Sequence, residues 1–413
     1  MVVRLYGARG RRVLTEVKAE RPAGPSSGGM HDAIIIGAGP VGLALAASLD
    51  SRGCSVALVE RQEADRLAHP AFDGREIALT RTSRAILTEL GAWERLPHDE
   101  IFPLRAARVL NGHGRRAMAL LPADGRGSLG DLVPNVRIRA ALFDVVRERP
   151  GIALSVGEDV RAARDEGHEG VVVDLASGRS IRGSALIAAD SRLSMLRGLF
   201  GIGAEVRHLS KTMLVFRVLH ERPHDRIATE WFAHGLTIAT LPLGPRQSSI
   251  VLTVAPAEAA RLMRIDDAGL SAYVGRHLAG RLGAVRIASS RHAYPLVVTC
   301  ADRFATGRVA LAGDAAIGMH PVTAHGFNFG LMGQRRIADA LSRALHDGTD
   351  VARALGRYAI AHRRETRPLY LATDAITRLF TRESPAGHML RQAVISAGVR
   401  LAPVRSGLVG LLG

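Results

Sequence analysis

An apolar run, Ala33 to Ile36, leads into a glycine-rich turn and a helical pattern from Pro40 to Arg52 that Gly53 closes. A strand-like run follows at Ser55 to Val59. Unbroken apolar runs bounded by turn residues suit strands buried on both faces, so this opening reads as strand, helix, strand of a parallel sheet. Helices are expected at Thr82 to Leu90, ended by Gly91, and at Arg137 to Arg149, ended before Pro150. From Met213 to Val254 the pattern becomes strand-like, at Met213–Leu219, Ala228–Phe232, Thr237–Leu241 and Ser249–Val254, with turn residues between. That predicts an antiparallel sheet inserted into the first layer. A helical stretch follows around Ala257 to Leu282, the strand Arg308 to Ala312 returns to the first layer, and helices dominate from Gly326. The fold class is α/β: a doubly wound parallel layer, an inserted antiparallel-sheet domain and C-terminal helices.

A chain of 413 residues with 47% hydrophobic and 23% charged residues buries a substantial core and needs more than one layer. The net charge of +16 invites a nucleic-acid reading, but all cations except Lys18 and Lys211 are arginines spread along the chain, and only 4% of residues are aromatic. No basic element interleaved with aromatics appears, so no nucleic-acid partner is expected. Cys54 and Cys300 have no metal-ligand spacing around them; no metal is expected, and a reducing, cytoplasmic setting fits. The most apolar early stretch is broken by glycines and Pro40, against a membrane span. Residues 1–29 read as a basic extension, either a functional arm or the product of a translation start assigned ahead of Met30. At the other end, Met389 to Leu412 mixes apolar residues with Arg391, Arg400 and Arg405, which suits either a helix packed on its own core or a peripheral contact with an anionic membrane surface.

Three stretches carry candidate chemistry. In Gly37-Ala38-Gly39-Pro40-Val41-Gly42, the first glycine permits a tight turn, the second lets backbone approach a pyrophosphate, and the third lets helix and strand pack closely. The helix N-terminus offers free N–H groups to phosphate, and Glu60, ending the next strand, can accept from both ribose hydroxyls. A glycine triplet alone is weak evidence: Gly125-Arg-Gly127-Ser-Leu-Gly130 has the spacing but no strand leading in. NAD and FAD fit the Gly37 loop equally.

The second stretch, Arg308 to Gly313-Asp314, places an aspartate beyond an apolar strand, either to accept from a ribityl chain, which nicotinamide dinucleotides lack, or to cap a helix. It continues into His320-Pro321-Val-Thr-Ala-His325-Gly326-Phe327-Asn328, a helix entrance whose N–H groups suit negative charge on a flavin edge. The third, Ala185 to Asp190-Ser191-Arg192, again ends a strand in Asp and basic residues; a strand-end ion-pair cluster is the alternative reading.

With these residues in view, the chain resembles the single-component FAD-dependent aromatic hydroxylases, the para-hydroxybenzoate hydroxylase class, from Asp32 to about Leu379. The resemblance implies a glutathione-reductase-like Rossmann domain for non-covalent FAD over 31–110, 135–205 and 300–345, a loop region at 111–134, a substrate domain at 206–299 and C-terminal helices at 346–413. It implies that the Gly37 loop and Glu60 hold the ADP half, Asp314 the ribityl chain, and that Arg75 and Arg139 lie beside the flavin. The Asp190 stretch then contacts FAD and the nicotinamide reductant. Phe72 to Leu79 and His320 to Gly330 look most like the ubiquinone-biosynthesis ring hydroxylases, closest to the 5-demethoxyubiquinol branch. Three positions depart from the class: Ala324-His325-Gly326 replaces Gly-Gln-Gly, Gly333 replaces Asp, and Asp190-Ser191 replaces Asp-Gly.

The implied activity is monooxygenation of an electron-rich ring, through a C4a-hydroperoxyflavin, with O2 as co-substrate and NAD(P)H or another donor as reductant. The implied substrate is a small aromatic molecule, prenylated if it lies on the ubiquinone route, and contact with a membrane surface or a ubiquinone-biosynthesis complex would follow. His320, His325 and Pro321 are candidates for orienting or deprotonating a phenol, and the segment with Phe216, Trp231 and Phe232 for the pocket wall. A halogenase is disfavoured because the chain holds only Trp93 and Trp231 and lacks the Trp-x-Trp-x-Ile-Pro signature. A prenyl-chain reductase and a non-catalytic FAD-binding member of a lipid-biosynthetic assembly are the alternatives.

Overall fold

The computed structural model describes residues 29–111, 117–122, 127–233, 236–320 and 325–381. The expected basic extension up to residue 28, Pro321 and the C-terminal run from Met389 lie outside these residues.

The first layer is a six-stranded sheet. Its parallel part runs Val309–Leu311, Leu186–Ala188, Ala33–Ile36, Val56–Glu60, Ile152–Val156, and the short strand Ala305–Thr306 is added antiparallel beside Val309–Leu311. The order places the first strand centrally, where both faces are covered, and Ala33, Ile34 and Ile35 are fully buried. The loops after Ile36, Ala188 and Leu311 therefore emerge side by side at one edge, the position where doubly wound sheets bind ligands.

A second, larger sheet is built on the strand Ala204–His220, which pairs antiparallel with both His292–Ala301 and Gln247–Val254. It continues through Leu236–Pro242 and Ile227–Ala233. One difference from expectation lies at 111–134. That stretch is not simply loop: Ala117–Leu120 pairs with Ala106–Asn111, which in turn joins Ile227–Ala233 in parallel, and Gly130–Pro134 pairs with Glu76–Leu79. The glycines and prolines there punctuate short strands, and composition could not separate such strands from loop. The parallel pair also makes the large sheet mixed, where an antiparallel one was expected.

Helices Pro40–Asp50 and Gly326–His346 pack against each other across small residues. A Cβ on Gly330 would stand 2.6 Å from Val41 Cγ2, and one on Gly313, at φ +57, 3.2 Å from it. At the far end Arg52 ties the pair by hydrogen bonds of 3.1 and 2.6 Å to Asp339. Gly333, where the hydroxylase class has Asp, faces His362 of the helix Val351–Thr381: a Cβ would lie 2.6 Å from its Nε2. The imidazole, stacked on Tyr358 at 5.6 Å, occupies the space a larger side chain would need.

Gly42 is demanded by packing, since its Cβ would sit 1.9 Å from the carbonyl oxygen of Gly37. The obstacle is backbone and cannot rotate away. Gly42→Ala should lower the unfolding free energy by about 3 kcal/mol, the upper part of the usual overpacking range, as read by urea denaturation.

Candidate functional site: a two-part cavity between the sheets

One cavity of about 1300 Å³ runs from the Gly37 loop to the face of the second sheet. At its first end, Gly37 adopts φ +107 and lies so near the end of the neighbouring strand that a Cβ would stand 2.4 Å from the carbonyl oxygen of Ala189. The Glu60 carboxylate is buried and accepts from the N–H of Ala38 at 2.7 Å and of Gln62 at 2.9 Å. Each carboxylate oxygen keeps lone-pair capacity for a further donor.

Asp190 and Asp314 border the middle of the cavity. Asp190 Oδ2 accepts from the N–H of Met195 at 2.9 Å, while its Oδ1 is buried with no hydrogen-bond partner. Asp314 accepts from Arg192 Nη2 at 2.8 Å, and Arg192 also donates to the carbonyl of Val297. Between them Ser191 adopts φ +139, a conformation natural to glycine, at the very position where the hydroxylase class has Gly. Arg75 is held by Asp73 through bonds of 3.0 and 2.6 Å and lies over the ring of Tyr294. Arg139 is half-buried on the wall, burial lowers its pKa, and among the described residues it has no hydrogen bond or ion pair.

The other end is the face of the second sheet. Strand pairing sets Glu230, Ala239, Val251 and Val215 in one row across four strands. Phe232, Thr237, Thr253, Met213 and Tyr294 form the next row. All nine line the cavity. Phe216 and Trp231, expected in this wall, point to the opposite face and pack with Leu252, Leu262 and Val274 beneath helices Pro256–Arg264 and Asp267–His277. The cause is the period of two: Trp231 and Phe232 cannot share a face.

These features fit an anionic dinucleotide. A Cβ on Gly39 would touch no protein atom within 4 Å, so close packing within the protein does not require that glycine. The N-termini of helices Pro40–Asp50 and Gly326–His346 converge on the cavity beside the unpaired Arg139, and Asp190 Oδ1 awaits a donor. A family described as FAD binding domain matches residues 30–367. The chain belongs to that FAD-binding family. It is 39% identical to ubiquinone hydroxylase UbiM of Neisseria meningitidis over 381 residues, 91% of this chain and 82% of the relative. Ubiquinone hydroxylase UbiL of Rhodospirillum rubrum is 30% identical over 389 residues, covering 94% and 90%. The fold matches crystalline p-nitrophenol 4-monooxygenase PnpA of Pseudomonas putida with a TM-score of 0.74 over 92% of this chain and 97% of that one, at 20% identity. It is an FAD-dependent oxidoreductase of the aromatic-ring monooxygenase class.

Of the residues expected to hold FAD, Gly37, Ala38, Gly39, Pro40, Glu60, Arg75, Arg139, Asp190, Gly313, Asp314 and Gly326 all line the cavity. Two other expectations need correction, those for Asn328 and His325, while Gly42 has the packing role expected of it. Asn328 turns away from it: its amide accepts from Thr80 N–H at 3.1 Å and donates to the carbonyl of Ala78 at 2.9 Å, pinning the strand Glu76–Leu79 to the helix. Gly42 acts beneath the loop by packing. His325 is buried against Phe329, ring centroids 5.8 Å apart, and does not border the cavity, because the helix begins at the next residue and carries its ring inward. His320 does border it; burial, opposed in part by Asp374, lowers its pKa to about 4, so the ring is neutral at neutral pH.

Sequence reasoning missed two carboxyls. Glu76 is paired with Arg217 at 2.7 Å, its side chain fully covered, and burial raises its pKa despite the guanidinium. Glu230 stands among the apolar and hydroxyl-bearing side chains of the two rows, where burial raises its pKa to about 8. Strand alternation around Trp231 and Phe232 was the available signal, since it puts residue 230 on the face of Phe232.

Two outcomes follow from this geometry. Ser191→Gly should relieve the backbone and raise stability by about 1 kcal/mol, the strain of ~1–3 kcal/mol less glycine's larger unfolded-state entropy, measurable by urea denaturation. For Glu230, the folded-state pKa lies above the unfolded value of 4.5, so its contribution to stability is full below pH 4.5 and is lost as pH rises through about 8. The melting temperature of Glu230→Gln relative to the unsubstituted protein should therefore increase between pH 5 and pH 8; a constant difference would show an ordinary carboxylate.

Proposed function

We propose that this enzyme hydroxylates the electron-rich ring of a polyprenylated phenol or quinol of ubiquinone biosynthesis. The observation that carries the reading is the single cavity joining the Gly37 loop to an apolar sheet face: about 1300 Å³ exceeds the ~300–1,000 Å³ of ordinary one-ligand pockets and leaves room for a second molecule beside the dinucleotide. The ubiquinone hydroxylases among its relatives favour this substrate class. An apolar tail suits such a wall, with each buried methylene contributing about 0.8 kcal/mol.

Bound and reduced with NAD(P)H, FAD supplies the oxygen chemistry with O2. The chain's own residues bind and exclude. Glu60, already oriented by two backbone N–H groups, accepts from the adenosine ribose. Gly39 and the N-terminus of helix Pro40–Asp50 take the pyrophosphate side, and Arg75 and Arg139 line the cavity toward the flavin. Asp314 accepts from the ribityl hydroxyls while Arg192 holds its carboxylate in place. The N-terminus at Gly326 offers N–H groups to negative charge on the flavin edge, and neutral His320 stands nearby as an uncharged polar contact. The apolar rows of the second sheet keep water from the ring.

Glu60→Ala should weaken FAD binding by about 1.5–3 kcal/mol, the range for hydrogen bonds to a charged acceptor, as measured by titration of the apoprotein. Expressed in a bacterium lacking its own late ubiquinone hydroxylases, the chain should convert an accumulated quinone intermediate to one heavier by an oxygen atom. If no intermediate gains oxygen while a small soluble phenol is hydroxylated, the ubiquinone assignment fails and the monooxygenase class stands.

A further inference from the structure

Glu230 has no structural reason to be a carboxylic acid. It lies on the strand Ile227–Ala233 between Thr229 and Trp231, which face the other side: Thr229 Oγ1 accepts from Arg108 Nε at 2.8 Å, and Trp231 is in the core. Strand alternation commits its side chain to the cavity face, where its cross-strand neighbour is the small Ala239. No hydrogen bond or ion pair reaches it from the described residues. Glu230 is only partly covered and opens on the cavity, so its carboxyl is available to a bound molecule. Its two rows of neighbours are apolar or carry hydroxyls, apart from His292 beyond Val215 on the fifth strand, which leaves the carboxyl as their single acidic group.

We infer that Glu230 is the contact that reads a ring oxygen of the aromatic substrate and thereby sets which ring carbon faces the flavin, an inference resting on the proposed function. A protonated carboxyl both donates and accepts, so it matches a phenol oxygen, which does the same. Burial favours that protonated form near neutral pH. The other polar groups that line the cavity in these rows are the hydroxyls of Thr237, Thr253 and Tyr294 in the row beside Glu230, so Glu230 is the one acidic point among them from which the ring is oriented.

The FAD-loaded full chain is titrated with 2-prenylphenol and with prenylbenzene, which lacks the oxygen, following the perturbation of flavin absorption. The unsubstituted protein should bind the phenol about tenfold more tightly. Glu230→Gln, which still donates and accepts, should keep most of that preference, and Glu230→Leu should abolish it while binding prenylbenzene at least as well. Should the leucine variant fail to retain FAD, Glu230→Met, closer in shape to glutamate, replaces it with the same expectation. A tenfold preference surviving in the leucine or methionine variant overturns the role of Glu230 and leaves the proposed function intact. If the unsubstituted protein binds neither probe, the prenylated-phenol reading fails and this inference falls with it.

Discussion

Val41 stands where three pieces of chain meet: its own helix, the turn at Gly313 and the helix containing Gly330. Only because both neighbours lack a Cβ does the valine fit, and its fit brings two helix N-termini to one cavity. Separate the helices by a methyl group and the partial charges at their ends diverge, the Asp314 turn lifts from the sheet edge, and the Gly37 loop loses the neighbour that it faces. Both contacts are with the branched side chain of Val41, wedged between the two glycines, so a methyl group added on either side has no free volume to enter in a close-packed interior. The anion-binding end of the site therefore depends on glycine at positions far apart in the chain.

The arginine-rich composition takes a different meaning once the partners are visible. Arg149 donates to the carbonyls of Ala47 and Leu90 and to Asp50 and Ser51, joining two helices to the loop before Ile152–Val156. Arg197 reaches the carbonyls of Arg192 and Ala315, and Arg291 those of Leu262 and Ile265. A planar guanidinium with five donors satisfies several carbonyls at once, which a lysine cannot do. Much of the positive charge is thus structural cross-bracing and carries no message about an external anionic partner. Arg139 differs from these in having no partner among the described residues, and it borders the cavity.

Departures from the hydroxylase pattern turn out to have local physical consequences. Gly333 leaves space that His362 fills, so the two positions form a matched pair in which an aspartate would collide with the imidazole. Ser191 keeps a backbone shape suited to glycine at the lip of the cavity, storing strain beside Asp190. His325 replaces a glutamine at the helix entrance and goes into the core.

By itself the sequence determined the parallel layer and the dinucleotide loop, because those depend on short-range patterns: buried runs of one strand each, a glycine spacing tied to a strand-to-helix turn, and an acidic residue closing the next strand. Local periodicity also announced the second sheet, although its strand Ala117–Leu120, and the strand Gly130–Pro134 of a separate small sheet, were hidden by glycine and proline. Which side chains face the cavity was a tertiary decision. Asn328 sits in a motif next to the site yet spends its amide on the strand at Ala78, and Phe216 and Trp231 look like pocket aromatics yet pack the opposite face. Glu230 carries no motif, and its place in the wall exists only through cross-strand pairing with residues such as Ala239, whose register no local pattern encodes. Register and facing are set by the burial of whole sheet faces, a sum over distant contacts, and only the folded chain evaluates that sum.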